Sequence, residues 1–187
     1  MTNVLMVSES YIKENSNLND NCFGKTLLPA IRQAQDIYLQ QIIGSSLYNS
    51  ILGMIDNETI GDTGNSIYKE LLDDYIRPYL LYKTINQIIP MLSVKLSNYG
   101  ATLSSDEYLV NLTQGEAELM EKEYSNAADF YCRRLQEFIL NHCDMLNIDE
   151  CTCNSINANL QSAATTGIFL GGQRGRKIVP GPTSYRR

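Results

Sequence analysis

The sequence has no tryptophan and one histidine. It also has no apolar run near the roughly 20 residues that cross a bilayer. These absences exclude several function classes. A nucleophile–histidine pair has only His142 available, and no Gly-x-Ser-x-Gly or papain-like context accompanies it. The glycines at 167, 171, 172 and 175 are not followed by Lys-Ser or Lys-Thr and follow no strand pattern, so neither a phosphate loop nor a dinucleotide fingerprint is present, and no cofactor is expected. Residues 1–7 lack the basic start and apolar stretch of a secretory signal, which points to synthesis and retention in a cytoplasm. Five cysteines, at positions 22, 132, 143, 151 and 153, are an odd number, and free thiols are the expectation for such a compartment.

Acidic residues are missing from the last fifth of the chain. All twenty-one acids and ten of the fifteen basic residues fall within residues 1–150, a net charge of −11, whereas residues 151–187 carry five basic residues and no acid. An acidic body with a basic tail suggests that the tail meets an acidic protein surface or nucleic acid. At 187 residues, one domain with a sizeable core is the simplest organisation.

Helical spacing dominates the body. Thr26 is placed to cap a helix with Pro29 in its first turn, where a missing N–H costs nothing. Leu27, Ile31, Ala34, Tyr38 and Ile42 form its apolar stripe, with Gln33, Asp36 and Gln40 opposite. Gly44 should end it in a left-handed conformation, and Ser45 or Ser46 should cap a second helix carrying Tyr48, Leu52 and Ile55 on one face. Together these make an α-hairpin over residues 26–55.

After a polar, glycine-containing loop, apolar spacing from Tyr68 to Leu92 predicts a long helix with a kink or break at Pro78 and Pro90. The pairs Ser104 with Glu107 and Thr113 with Glu116 have capping-box spacing, predicting a short helix and then a long one. The long one bears Met120, Tyr124, Ala127, Tyr131, Leu135, Phe138 and His142 on a stripe, and Glu118 with Lys122 and Asp129 with Arg133 on its wet face. The fold expected is therefore all-α, a single-domain bundle of five or six helices over residues 1–166. An extended basic arm over residues 167–187 follows, too rich in Gly and Pro for a helix.

His142, Cys143, Cys151 and Cys153 have metal-ligand chemistry but fit no common zinc spacing, and His142 and Cys143 point about 100° apart on a helix. A histidine at a helix C-terminus with small thiols in the core accounts for them without a metal. Asp73-Asp74 and the acids of residues 116–123 read as wet helix faces. The tyrosines at 38, 48, 68, 75 and 82 suit a core rim or a subunit interface. In the arm, Ile168, Phe169, Leu170, Ile178 and Val179 are apolar anchors and Arg174, Arg176 and Lys177 basic contacts for a partner.

At Gln35-Asp36-Ile37-Tyr38-Leu39-Gln40 and Ile43-Gly44-Ser45-Ser46-Leu47-Tyr48 the sequence resembles the head-tail connector, or adaptor, proteins of tailed phages that infect Bacteroidales, including crAss-like phages. Tyr11-Ile12-Lys13-Glu14, Leu27-Leu28-Pro29-Ala30-Ile31 and Asn98-Tyr99-Gly100 follow in similar order, so the likeness covers residues 8 to about 140. It implies a virion structural protein at the head-tail interface, without enzymatic activity or a membrane. Such a protein assembles as a twelve-fold ring beneath the portal, touches the portal and adjacent ring or tail proteins, and lets genomic DNA pass through its lumen. The alternative class is a nucleic-acid-binding accessory protein acting through its basic tail.

Overall fold

The computed structural model describes residues 4–18, 24–97, 100–103, 114–148, 153–154 and 156–157. Five helices and one small hairpin make up the described residues, and their buried side chains form one core, so the chain is an all-α single domain with a hairpin appended. Helix α1 is Glu9–Glu14, capped by the Ser8 hydroxyl, which accepts from the Tyr11 N–H at 3.1 Å. Helix α2 runs from Gly24–Arg32 through a π-helical stretch, Gln33–Leu39, to Gln40–Ile43. Helix α3 is Ser45–Asp56. Two 3₁₀ turns follow, then α4, which runs from Ser66–Glu70 through a second π-helical stretch, Leu71–Ile76, to Arg77–Ser93. Strands β1 (Val94–Ser97) and β2 (Gly100–Leu103) pair antiparallel with Val94 opposite Leu103, and α5 is Gln114–Asn141.

The π-helical stretch in α2 explains which side chains enter the core. Leu27, Ala30, Ile31 and Ala34 follow the expected stripe, but Gln35, Leu39 and Ile43 are then buried, while Tyr38 and Ile42 are only half-buried. A π turn holds one residue more than an α turn, so the inward stripe advances by one position after Ala34. Strict α periodicity misplaces the stripe by that one residue.

Two helix starts also differ from expectation. The first extends back at least to Gly24, so Thr26 lies inside it and Pro29 stands in its sixth position. Gly44, not a serine, is both the end of α2 and the N-cap of α3: its N–H donates to the Gln40 carbonyl, and its own carbonyl accepts from Tyr48 N–H. Its φ of 78° and ψ of 156° lie in a region open mainly to glycine, extended in ψ rather than left-handed helical. Ser45 serves α2 instead, its hydroxyl accepting from the Gln40 side-chain amide at 3.1 Å.

The proline disturbance in α4 takes the form of π turns rather than a break. Leu71–Ile76 is π-helical immediately before Pro78, and the backbone remains helical through Pro90 to Ser93. A widened turn is a recognised accommodation for a residue that lacks an N–H and crowds the carbonyl four positions back. Helix α4 is the central element, packed against both α2 and α5. Leu71, Ile76, Leu80 and Ile88 from α4 meet Leu27, Ile31, Leu39 and Ile43 from α2 and Leu135 and Ile139 from α5, all fully buried. Helix α4 ends at Ser93 and the hairpin follows, with Gly100 opening β2; Asn98 and Tyr99 lie outside the described residues. Ser104, Glu107 and Thr113, with the short helix expected between them, fall outside the described residues.

Candidate functional site

Two parts of the molecule stand out, one closed and one open. The closed part is built on the α2 π segment. Gln35, 2% exposed, accepts from the Met6 N–H at 2.9 Å through Oε1 and donates through Nε2 to the Val4 carbonyl at 3.2 Å and the Tyr48 hydroxyl at 3.1 Å. A side-chain amide thus pairs with backbone as another strand would, and it fixes residues 4–7 against the bundle, with Met6 and Val7 buried. The Tyr48 hydroxyl donates in turn to Asp36 Oδ1 at 2.5 Å. Burial, and then the hydrogen bond to Asp36, push the Tyr48 hydroxyl up to about 12, partly offset by Gln35. Every polar group here has its partner within the subunit. Sequence periodicity missed Gln35, because a glutamine beside an apolar stripe looks like wet surface; only the π turn brings it inside.

The open part is the first half of α5. From Gly115 to Glu123 every residue except the half-buried Ala117 is exposed. Met120, expected in the core, is 37% exposed, Leu119 is 60% exposed and Phe130 is 58% exposed. Half-buried Tyr124 already packs against the core, and the fully buried positions run from Ala128 through Leu135, Phe138 and Ile139. Leu119 and Phe130 are eleven residues apart, about three helical turns, so they share one outward line. Beside this half, Tyr38, Lys83, Asn86, Gln87, Glu121 and Asn126 line a polar cleft of about 540 Å³ between α2, α4 and α5. The Asn86 amide spans it, donating to the Glu121 carbonyl at 2.8 Å, and the Lys83 ammonium rests 4.0 Å from the centre of the Tyr38 ring.

The tyrosines divide between core and rim. Tyr68 is buried and donates to the Leu146 carbonyl at 3.0 Å. Tyr75 packs on Phe138, and Tyr82 stacks on Tyr131 with ring centroids 5.1 Å apart, beside Phe130 edge-on to Tyr131. Tyr79 and Cys132 meet on the inner side of this seam; burial, then Asp129, pushes the Cys132 thiol up to about 11, and burial raises the Tyr79 hydroxyl well above its usual range. A thiol held protonated in this way is a packing group rather than a nucleophile.

The expectation of free thiols is corrected at two positions: Cys143 and Cys153 form a disulfide, with Cα atoms 6.6 Å apart. The turn after α5, in which the Leu146 N–H donates to the His142 carbonyl, and the burial of Ile156 bring the two together. Cysteine parity carries no information about such local proximity. His142 sits at the end of α5 with its ring against Phe138; its Nδ1 lies 2.9 Å from the Phe138 carbonyl, which can only accept, so the proton is on Nδ1. Among the described residues no three His, Cys, Asp or Glu side chains are grouped to hold a metal ion, and no helix is long and apolar enough to cross a membrane. Asp73 pairs with Arg77 four residues on at 2.5 Å, a surface contact. Cys22, Cys151 and the whole arm, including Ile168, Phe169, Leu170, Arg174, Arg176, Lys177, Ile178 and Val179, lie outside the described residues.

Residues 39–155 match the model of a family of unknown function, DUF6712. The chain belongs to this family. The DUF6712 match spans α3, α4, α5 and the disulfide, thus the open half of α5, and leaves out Gln35, Asp36 and the arm. No curated protein and no solved structure matches the chain.

Proposed function

We propose that this DUF6712 member is a virion structural protein, a head-tail connector subunit that assembles into a ring beneath the portal of a tailed phage. The observation that carries the reading is the exposed apolar surface of α5: Leu119 and Met120 in its first half and Phe130 just past its midpoint face solvent, on a helix that enters the core through Ala128, Leu135, Phe138 and Ile139. A subunit that completes its core elsewhere and leaves one helix end uncovered has a surface fitted to a partner. The resemblance at residues 35–48 adds support, because its residues carry architecture: Gln35, Asp36 and Tyr48 make the N-terminal clamp, and Gly44 makes the turn.

Charge fits the same role. A ring built from a body of net charge −11 has more acidic than cationic groups, so on balance it weakens the phosphate contacts that dominate nonspecific binding, and the duplex would slide rather than adhere. Ring contacts are heterologous, one face meeting a different face of the next copy, and a subunit with an acidic body and a basic arm has two such surfaces. Cryo-electron microscopy of the virion neck, with native mass spectrometry of the chain mixed with the portal protein, tests the reading. It predicts a closed ring of copies below the portal; a strictly monomeric chain absent from purified particles would overturn it.

A further inference from the structure

The two ends of the disulfide are held differently. Cys143 lies in a turn that closes without the bond: the His142 N–H donates to the Ile139 carbonyl at 3.1 Å, the Leu146 N–H to the His142 carbonyl at 3.0 Å and the Ile148 N–H to the Cys143 carbonyl at 3.2 Å. Leu146 is buried, and the Tyr68 hydroxyl donates to its carbonyl at 3.0 Å, which ties the turn to α4. The Cys153 side has less to hold it. Of the four described residues there, Cys153 is half-buried, Asn154 and Asn157 are exposed, and Ile156 alone is buried. Burying one isoleucine stabilises by less than the backbone entropy lost in ordering four residues, so Ile156 stays docked only with the help of the bond. Cys143 is half-buried as well, which leaves both cysteines within reach of small thiols.

We propose that Cys143 and Cys153 form a redox-sensitive latch, closed in an oxidising compartment and open in a reducing one, which docks Ile156 and so sets where the following chain leaves the bundle. The latch stands apart from the ring reading. Its co-reactant is a small thiol and disulfide couple of the glutathione class. On closing, the two cysteine thiols give up two electrons and two protons, and one oxidised glutathione becomes two glutathiones. On opening, a glutathione thiolate attacks one sulfur of the pair, and the S–S electron pair leaves on the other cysteine, which takes a proton. A second glutathione then resolves the mixed disulfide. Reducing compartments favour the open form. In it the nine steps from Ile148 to Asn157 become a tether with a root-mean-square span of roughly 17 Å, so the thirty residues beyond Asn157 start from a movable point. The coupling is reciprocal: docked Ile156 holds Cys153 beside Cys143, and it favours the bond by the same factor by which the bond favours docking.

Methyl-resolved NMR of the full chain, equilibrated in mixtures of reduced and oxidised glutathione, tests this, with the paired fraction read in parallel by alkylation and peptide mass. As the mixture becomes more reducing, Cys143 and Cys153 should take up the alkylating reagent together. The Ile156 methyl signal should then move to its position in an unstructured peptide, while that of Ile139, fully buried in α5, stays in place. Cys143→Ser should show the released Ile156 signal in every mixture. Ile156→Ser, which keeps both thiols, should let the pair open about tenfold more readily, as read from the glutathione mixture at half-reduction. An Ile156 signal that stays in place in the reduced chain or in Cys143→Ser overturns the latch, because docking then needs no bond. Loss of the Ile139 position on reduction overturns it too, since the bond would then staple the whole bundle. So does a pair that remains joined in the most reducing mixture, or a half-reduction point that Ile156→Ser leaves unmoved.

Discussion

The two halves of α5 use the same helix-forming residues under opposite conditions. Its second half is clamped, with Ala128, Leu135, Phe138 and Ile139 locked against α4, while its first half carries Leu119 and Met120 into solvent. Helix propensity does not distinguish them; burial does. The lesson is that the first half of the helix gives the core little apolar burial, holding to α4 through Tyr124 and the Asn86 bond to the Glu121 carbonyl while Leu119 and Met120 stay in solvent.

The contrast is most easily broken at its packed end. Leu135→Ala should cost about 2–5 kcal/mol in urea-induced unfolding, since it opens a cavity in a fully buried site, whereas Leu119→Ala should change stability by no more than about 0.5 kcal/mol. Equal costs would mean that the open half is packed within the subunit after all. Next in size is the staple at the end of α5. Cys143→Ser releases a loop closed over a sequence separation of 10 and should lower stability by about 2–3 kcal/mol, and a reducing agent should reproduce this in the parent and do nothing to the variant.

Removing the amide clamp should cost somewhat less. Gln35→Leu leaves the Met6 N–H and Val4 carbonyl without their partner, a loss of about 1–3 kcal/mol, and hydrogen exchange at Met6 should accelerate before that of the core helices. The smallest effect concerns pH. The Tyr48 hydroxyl titrates higher in the folded chain than the ordinary tyrosine value of 10.0, near 12, so the folded state holds the proton more tightly. Its contribution is fully present below about pH 10 and is lost as pH rises toward 12. Tyr48→Phe should flatten that alkaline fall in a series of denaturant melts, and an unchanged slope would assign it to other tyrosines.

The sequence was legible where its period was regular. The two helices either side of Gly44, the long helix through Tyr68 to Leu92 and the helix after Thr113 all follow from spacing and turn chemistry. It was illegible where the period slips. One additional residue in the π turn of α2 moves the inward positions from Tyr38 and Ile42 to Leu39 and Ile43, and it buries a glutamine that composition places outside. The exposed stretch of α5 was hidden for a different reason: Met120 falls on the expected stripe yet is 37% exposed, and no local pattern in the sequence records this. The disulfide depends on a turn whose closure is tertiary. Asp73 was legible as part of a wet helix face, and its ion pair with Arg77 is an ordinary helix-surface contact.

The central claim is that the outward face of α5 is where copies meet. Cryo-electron microscopy of the neck of purified particles tests it most directly. The account predicts a ring in which Leu119, Met120 and Phe130 are covered by the adjacent copy while the Gln35 clamp stays within each subunit. A ring that leaves those three side chains in solvent, or particles that lack the protein altogether, would contradict it.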